Sequence, residues 1–177
     1  QADLTDPAQI QSLLSAFQSL DVLVNSAAFM PGGNVDALSL ENWDKSLDLN
    51  LRAPFLLAQE CAKKMTDGGL IVNITDMGAQ KAWSRYPSYT VSKAALESLP
   101  KLLARALAPK IRVNAIAPGF VLPSDIVPAE EWERLINRIP LKRPARTEEI
   151  SSALEFLLQN EYITGQTIVV DGGYSLI

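Results

Sequence analysis

The chain contains no histidine and a single cysteine, Cys61. Those two shortages exclude much nucleophilic and metal chemistry. A Ser-His or Cys-His pair cannot be assembled, and a zinc site would lack its usual ligands. Cys61 has no partner for an internal disulfide, which fits a reducing cytoplasm. No apolar run is long enough to cross a bilayer, and no signal-peptide layout opens the chain. Cationic excess is missing too: 16 Lys and Arg stand against 20 Asp and Glu, a net charge of −4. That balance offers no electrostatic footprint for nucleic acid or an anionic membrane. The nine glycines form no Gly-x-Gly-x-x-Gly or related phosphate-cradling loop.

What is present suits one globular domain over 1–177, with 47% hydrophobic and 20% charged residues. The chain opens Gln1-Ala2-Asp3 without a Met, which reads as a piece of a longer protein. Asp6-Pro7 starts an amphipathic helix expected to reach Leu20, with Ile10, Leu13, Leu14 and Phe17 at helical spacing. Asp21 to Val24 reads as a buried strand. Ser39 caps a helix from Leu40, Pro54 suggests a break near Asn50, and a second helix runs to about Met65. Asp67-Gly68-Gly69 reads as a turn before a strand at Leu70–Ile74. A loop, Thr75 to Pro87, precedes a helix to Leu107, and Ile111–Ile116 is the third strand. A Pro-rich loop, 120–128, leads to a helix over Ala129–Arg138. Thr147 is expected to cap the helix Glu148–Leu158, and Gln166–Val170 is the last strand. Strands and helices alternate, so the expected fold is α/β: a doubly wound parallel sheet with helices on both faces. Ligands of such sheets bind beyond the carboxyl ends of the strands. That rule gathers Asn25, Thr75, Asp76, Pro118 and Gly119 on one rim.

Tyr89 and Lys93 are four apart in Ser88-Tyr89-Thr90-Val91-Ser92-Lys93 and share one helix face. A neighbouring ammonium favours a phenolate, so Lys93 is expected to lower the Tyr89 pKa towards neutrality. A Tyr so placed can pass a proton.

Taken together, these residues resemble the short-chain dehydrogenase/reductase family along the whole chain. Asp3-Leu4-Thr5 is similar to its segment near the adenine, and Asn25-Ser26-Ala27-Ala28 to its cofactor-supporting turn. Asn50, Tyr89 and Lys93 match its catalytic residues. Pro118-Gly119, with Val121 just beyond, matches the segment beside the nicotinamide, and Asp171-Gly172-Gly173 the closing turn. The resemblance implies a Rossmann-like fold and an NAD(P)H-dependent reductase. Lys93 would bind the nicotinamide ribose, Tyr89 would pass the proton, and Asn50 would hold a water. Read from the residues alone, Asn50 is instead a helix cap. The family's opening strand–Gly-turn–helix units, roughly sixty residues carrying its first three strands, are absent. NADPH is expected and NADH stays open, because the deciding residues belong to those units. The resemblance also implies a homotetramer.

One departure stands out. Asp76 occupies the place, thirteen before Tyr89, where the family usually has Ser. An ionised Asp only accepts hydrogen bonds, so it suits a substrate offering N–H groups. An Asp here is characteristic of the family's pteridine reductases. Asp125-Ile126-Val127-Pro128, Ile139-Pro140-Leu141 and Val170-Asp171-Gly172-Gly173-Tyr174-Ser175-Leu176 are also similar to them. The leading expectation is an NADPH-dependent pteridine (dihydropterin or dihydrofolate) reductase, with Ser26 and Ala27 near cofactor and substrate and Phe29 as a stacking wall. The alternatives are a ketoreductase of 3-oxoacyl thioesters or sugar ketones, with Asp76 incidental and Thr75 replacing the Ser, and a non-catalytic binding protein.

Overall fold

The computed structural model describes residues 1–81, 83–123 and 127–177. Asp125 and Ile126, which contribute to the resemblance, lie outside them. Helix α1 spans Pro7–Ser15, with the Asp6 carboxylate accepting from Ala8 N at 2.8 Å. It stops well short of Leu20. The last turn tightens, with Ala16 N on Leu13 O at 3.3 Å and Phe17 N on Leu14 O at 3.2 Å. The Lys64 ammonium then takes the freed carbonyls of Leu14 at 2.7 Å and Phe17 at 2.8 Å. Strand β1 follows at Leu20–Asn25.

Helix α2, Leu40–Leu47, is capped as expected, Ser39 Oγ accepting from Asn42 N at 3.2 Å. There is no break at Asn50. Asp48–Arg52 winds as a π-helix and runs directly into α3, Ala53–Ala62. The wider turn accommodates Pro54, which has no N–H to give the turn before it. Strand β2 is Met65–Ile74, so Asp67-Gly68-Gly69 lies inside a strand rather than forming a turn ahead of one. Pairing runs Leu20↔Met65 and then Val22↔Leu70, and a bulge absorbs the surplus residues. Gly68, at φ +88°, supplies the conformation this requires.

The remaining elements are α4 (Pro87–Leu107), β3 (Ile111–Pro118), α5 (Ala129–Arg138), α6 (Thr147–Gln159) and β4 (Thr167–Val170). Thr147 is the first residue of α6, not its cap; the Glu149 carboxylate reaches back to Arg146 N at 2.8 Å.

The four strands are parallel in the order β1-β2-β3-β4. Ile71 and Val113 pack with Ile10 and Leu14 of α1, Leu57 and Ala58 of α3, and Leu96, Leu99 and Leu103 of α4. Leu70, Val72 and Ile116 point the other way, against Leu154 and Leu157 of α6. Helices therefore cover both faces, and burying each such aliphatic side chain stabilises by about 1.5–3 kcal/mol. On the α6 side, Arg112 donates to the carbonyls of Leu157 at 2.8 Å, Asn160 at 3.1 Å and Ile163 at 3.4 Å. Beside β1 the covering is thinner: Val22 and Val24 are each 39% exposed above an apolar groove. Among the described residues no helix is long and apolar enough to cross a membrane, and no cluster of His, Cys, Asp and Glu could hold a metal.

Candidate active site

The carboxyl ends of β1, β2 and β3 form one rim, and α4 presents Tyr89 and Lys93 to it. Two buried polar contacts set the position of α4. Ser46 Oγ meets Ser88 Oγ at 2.9 Å, and Asn50 Nδ2 donates to Ser92 Oγ at 2.9 Å. The spacing is four residues on both helices, so the two contacts run along one seam.

Asp76 follows β2 and begins a short 3-10 turn at Met77–Gln80, its Oδ1 accepting from Gly78 N at 2.5 Å. The Tyr89 hydroxyl donates to Asp76 Oδ2 at 2.6 Å. Lys93, only 3% exposed, donates to Ile74 O at 2.7 Å and lies 5.8 Å from the Tyr89 ring centre. Among the described residues its ammonium has no other hydrogen-bond partner, so two of its three N–H groups stay free.

Burial decides the electrostatics. It pushes the Asp76 carboxyl above the usual carboxylate range, against the Tyr89 hydroxyl, the Gly78 N–H and the Lys93 charge, which pull it down. Burial likewise lowers Lys93 to about 8, with the Asp76 charge opposing. Tyr89 moves up, first by burial and then by the adjacent Asp76 charge. The lowering expected from Lys93 is thus reversed: the phenol shares its proton with a carboxylate, and ionising it would set two negative charges side by side.

A cavity of about 430 Å³ opens beside Asp76. Trp83, Tyr86, Phe120, Trp132 and Tyr174 contribute aromatic walls, and Met30, Gly119, Val121 and Arg85 also line it. Phe120 is the hub, with its ring 5.0 Å from Tyr174, 5.5 Å from Trp132 and 6.3 Å from Trp83. A second depression, bounded by Ser26, Ile74, Ile116, Pro118, Val121 and Leu154, adjoins it through Val121. The groove beside β1 holds Leu4, Asn25, Ser26 and Ala27 and adjoins the second depression through Ser26.

Several expected site residues are engaged by contacts within the chain. Phe29 does not line the aromatic cavity; Lys45 Nζ sits 4.7 Å from its ring centre, and Asn50 grips its backbone. Asn50 Oδ1 accepts from Phe29 N at 2.7 Å and its Nδ2 donates to Phe29 O at 2.9 Å. Asn50 is therefore a buried clamp, not a helix cap. Thr75 Oγ donates to Ile116 O at 3.1 Å and is 3% exposed, so its hydroxyl cannot stand in for a Ser at Asp76. The Asp3 carboxylate is taken up by Thr5, accepting from its N at 2.9 Å and its Oγ at 2.7 Å.

A family model described as enoyl-(acyl carrier protein) reductase matches residues 1–175. The 3-oxoacyl-[acyl-carrier-protein] reductase FabG of Rickettsia bellii is 34% identical over 99% of this chain and 76% of its own length. The 2-dehydro-3-deoxy-D-gluconate 5-dehydrogenase of Dickeya dadantii is 32% identical, over 98% of this chain and 74% of its own. The chain belongs to the short-chain dehydrogenase/reductase family. A solved member, FolM alternative dihydrofolate reductase 1 from Brucella suis in complex with NADP, superimposes with a TM-score of 0.91 at 37% identity. That match covers 100% of this chain and 73% of the other. Of the aromatic walls, Trp83 and Tyr86 are the ones that sequence reasoning does not single out. Trp83, Tyr86, Phe120 and Tyr174 come from three separate segments, and no periodic pattern links them.

Proposed function

We propose that the protein is an NADPH-dependent reductase of a dihydropteridine. The observation that carries this reading is the 2.6 Å hydrogen bond from Tyr89 to Asp76 beside a cavity walled by aromatic rings. Asp76 suits a substrate nitrogen: ionised, it accepts from ring N–H groups, and protonated, it donates. The rings suit a flat heterocycle. The likeness to the NADP-bound FolM dihydrofolate reductase supports the same reading.

The second depression fits the nicotinamide end of the cofactor. It is mainly apolar, and Lys93, which donates to the carbonyl of Ile74 on its wall and keeps free N–H groups, suits a ribose hydroxyl. Ser26, Pro118 and Val121 would border the ring, Gly119 lines the aromatic cavity beside it, and Leu4, Asn25 and Ala27 line the neighbouring groove. Bound NADPH supplies the hydride. The chain supplies the proton. Asp76, held above its usual range by burial, gives a proton to the substrate nitrogen, and the Tyr89 hydroxyl donating to Oδ2 steadies the carboxylate that is left. The Lys93 charge favours the anion left on the pair. Asn50, through Phe29 and Ser92, keeps the loop after β1 and helix α4 in register.

A ketone reductase remains the second reading, favoured by the names of the FabG and gluconate-dehydrogenase relatives. The two separate on Asp76→Ser. With a dihydropteridine, this change should lower kcat/KM by about a hundredfold or more. With an acetoacetyl thioester, a ketone reductase should keep its rate or gain. Turnover of the thioester alone, unharmed by Asp76→Ser, would end the pteridine reading.

A further inference from the structure

Three charged groups line the aromatic cavity among the described residues: Asp76, Arg85 and Glu131. Asp76 is committed to Tyr89 and Gly78. Arg85 is the sole cation of the three, and its guanidinium is poorly satisfied. Its one ionic partner is Glu131, with Nη1 to Oε2 at 3.6 Å and the Arg85 side chain 73% exposed. That is ion-pair range but too long for a hydrogen bond. Glu131 is also shared, since Arg134 Nη2 lies 3.6 Å from its other oxygen. Among the described residues the Arg85 side chain makes no hydrogen bond, so its five N–H donors are available. The backbone beneath it is anchored, because Arg85 O accepts from Gly33 N at 3.0 Å. The result is a fixed base carrying a free planar fork at the open side of an aromatic cavity.

We propose that Arg85 is a substrate-specificity residue that receives a carboxylate on the arm of the substrate, while the ring lies by Asp76. This deepens the pteridine reading and rests on it for the ring, not for the arm. A planar guanidinium binds a carboxylate through two parallel N–H···O bonds, which a 3.6 Å monodentate pair cannot match. The arriving carboxylate therefore displaces Glu131, which turns to Arg134, already within reach. The cavity then discriminates by charge: Asp76 favours N–H donors, and Arg85 favours an anionic tail. Glu131 holds Arg85 in place when the cavity is empty and weakens the binding of acids by competing for it.

The arm can be tested without turnover. Two tryptophans, Trp83 and Trp132, line the cavity, so intrinsic fluorescence reports its filling. The full chain is titrated with p-aminobenzoylglutamate and with its uncharged diamide. The diacid should bind about tenfold tighter, as one charge-assisted pair implies. Arg85→Ala should erase that difference while leaving diamide affinity unchanged, Arg85→Lys should restore part of it, and Glu131→Gln should tighten the diacid. Equal affinity for the two probes overturns the proposal, as does an Arg85→Ala loss common to both. Kinetics separate the failures. If dihydrofolate and a dihydropterin with a neutral side chain are reduced alike, before and after Arg85→Ala, the arm inference falls and the pteridine reading stands. If neither is reduced but the diacid still prefers Arg85, the pteridine reading falls and the anion site stands.

Discussion

Replacing Lys93 with Met tests the electrostatics of the site by two independent readouts. Lys93 is 3% exposed, and burial draws its pKa from 10.5 to about 8. At about 1.4 kcal/mol per decade, that gap represents about 3 kcal/mol of unfavourable charge burial at neutral pH. The sign follows from proton counting. Between about 8 and 10.5 the unfolded chain holds a proton that the folded chain has released. Lys93 therefore makes stability rise with pH through that window, and its full cost is present below it. The Lys93→Met variant has no such titration. It also leaves Ile74 O without its 2.7 Å donor, which costs about 1–3 kcal/mol and offsets most of the gain at pH 7. The stability difference, wild type minus variant, should grow in favour of the wild type by about 2 kcal/mol between pH 7 and 9.5. Over that range Tyr89, whose pKa is raised, stays neutral in the folded state. For a chain of this size the change corresponds to about 4–8 °C in Tm, readable by calorimetry or urea unfolding at four pH values. If the ammonium holds the ribose, kcat/KM should fall above pH 8, where stability rises. A stability difference that stays flat from pH 7 to 9.5 would refute the buried, shifted lysine outright.

Two further substitutions test other parts of the structure. A Cβ at Gly78 would stand 2.7 Å from the Trp83 ring and 2.9 Å from Asp76 Oδ1. Gly78→Ala should therefore shift the tryptophan emission and raise KM at a cost of about 1–3 kcal/mol; unchanged emission would contradict the packing. Arg112→Met removes the donor to three carbonyls around the end of α6. It should lower stability by about 2 kcal/mol or more without altering ligand affinity at the cavity, as checked by urea unfolding beside probe titration.

The core elements were legible because each repeats a local rule. The apolar runs at Leu70–Ile74 and Ile111–Ile116 are strands buried on both faces, and α5 occupies Ala129–Arg138 as its pattern requires. The errors share a different cause: partners distant in sequence. Lys64 ends α1 from 50 residues away. Pairing of Met65 and Leu70 with β1, and of Gly69 with β3, brackets Asp67-Gly68-Gly69 inside β2 as a bulge, although its composition favours a turn. Spacing and resemblance single out Tyr89, Lys93 and Asp76 as candidates, and the structure brings them together. The direction of the Tyr89 pKa was not accessible, since it depends on which group the hydroxyl meets and how dry that place is. Phe29 is not among the residues lining the aromatic cavity, because an aromatic side chain after a strand says nothing of where its ring turns; Asn50 holds its backbone and Lys45 meets its ring.

The π-helix at Asp48–Arg52 also bears on how this chain can change in length. Its i→i+5 bonds hold one more residue per turn than an α-helix does. Removing a residue there would let the segment wind as a regular α-helix, and the loss of one residue's rotation, about 100°, is offset by the tighter winding of the four that remain. The stripe Leu57, Ala58 and Cys61 would keep its face to the sheet. Asn50, which faces Phe29 and Ser92 at once, would lose that double reach. The extra residue in this turn is thus kept for the reach of Asn50 to Phe29 and Ser92, while the core face of α3 would tolerate its loss.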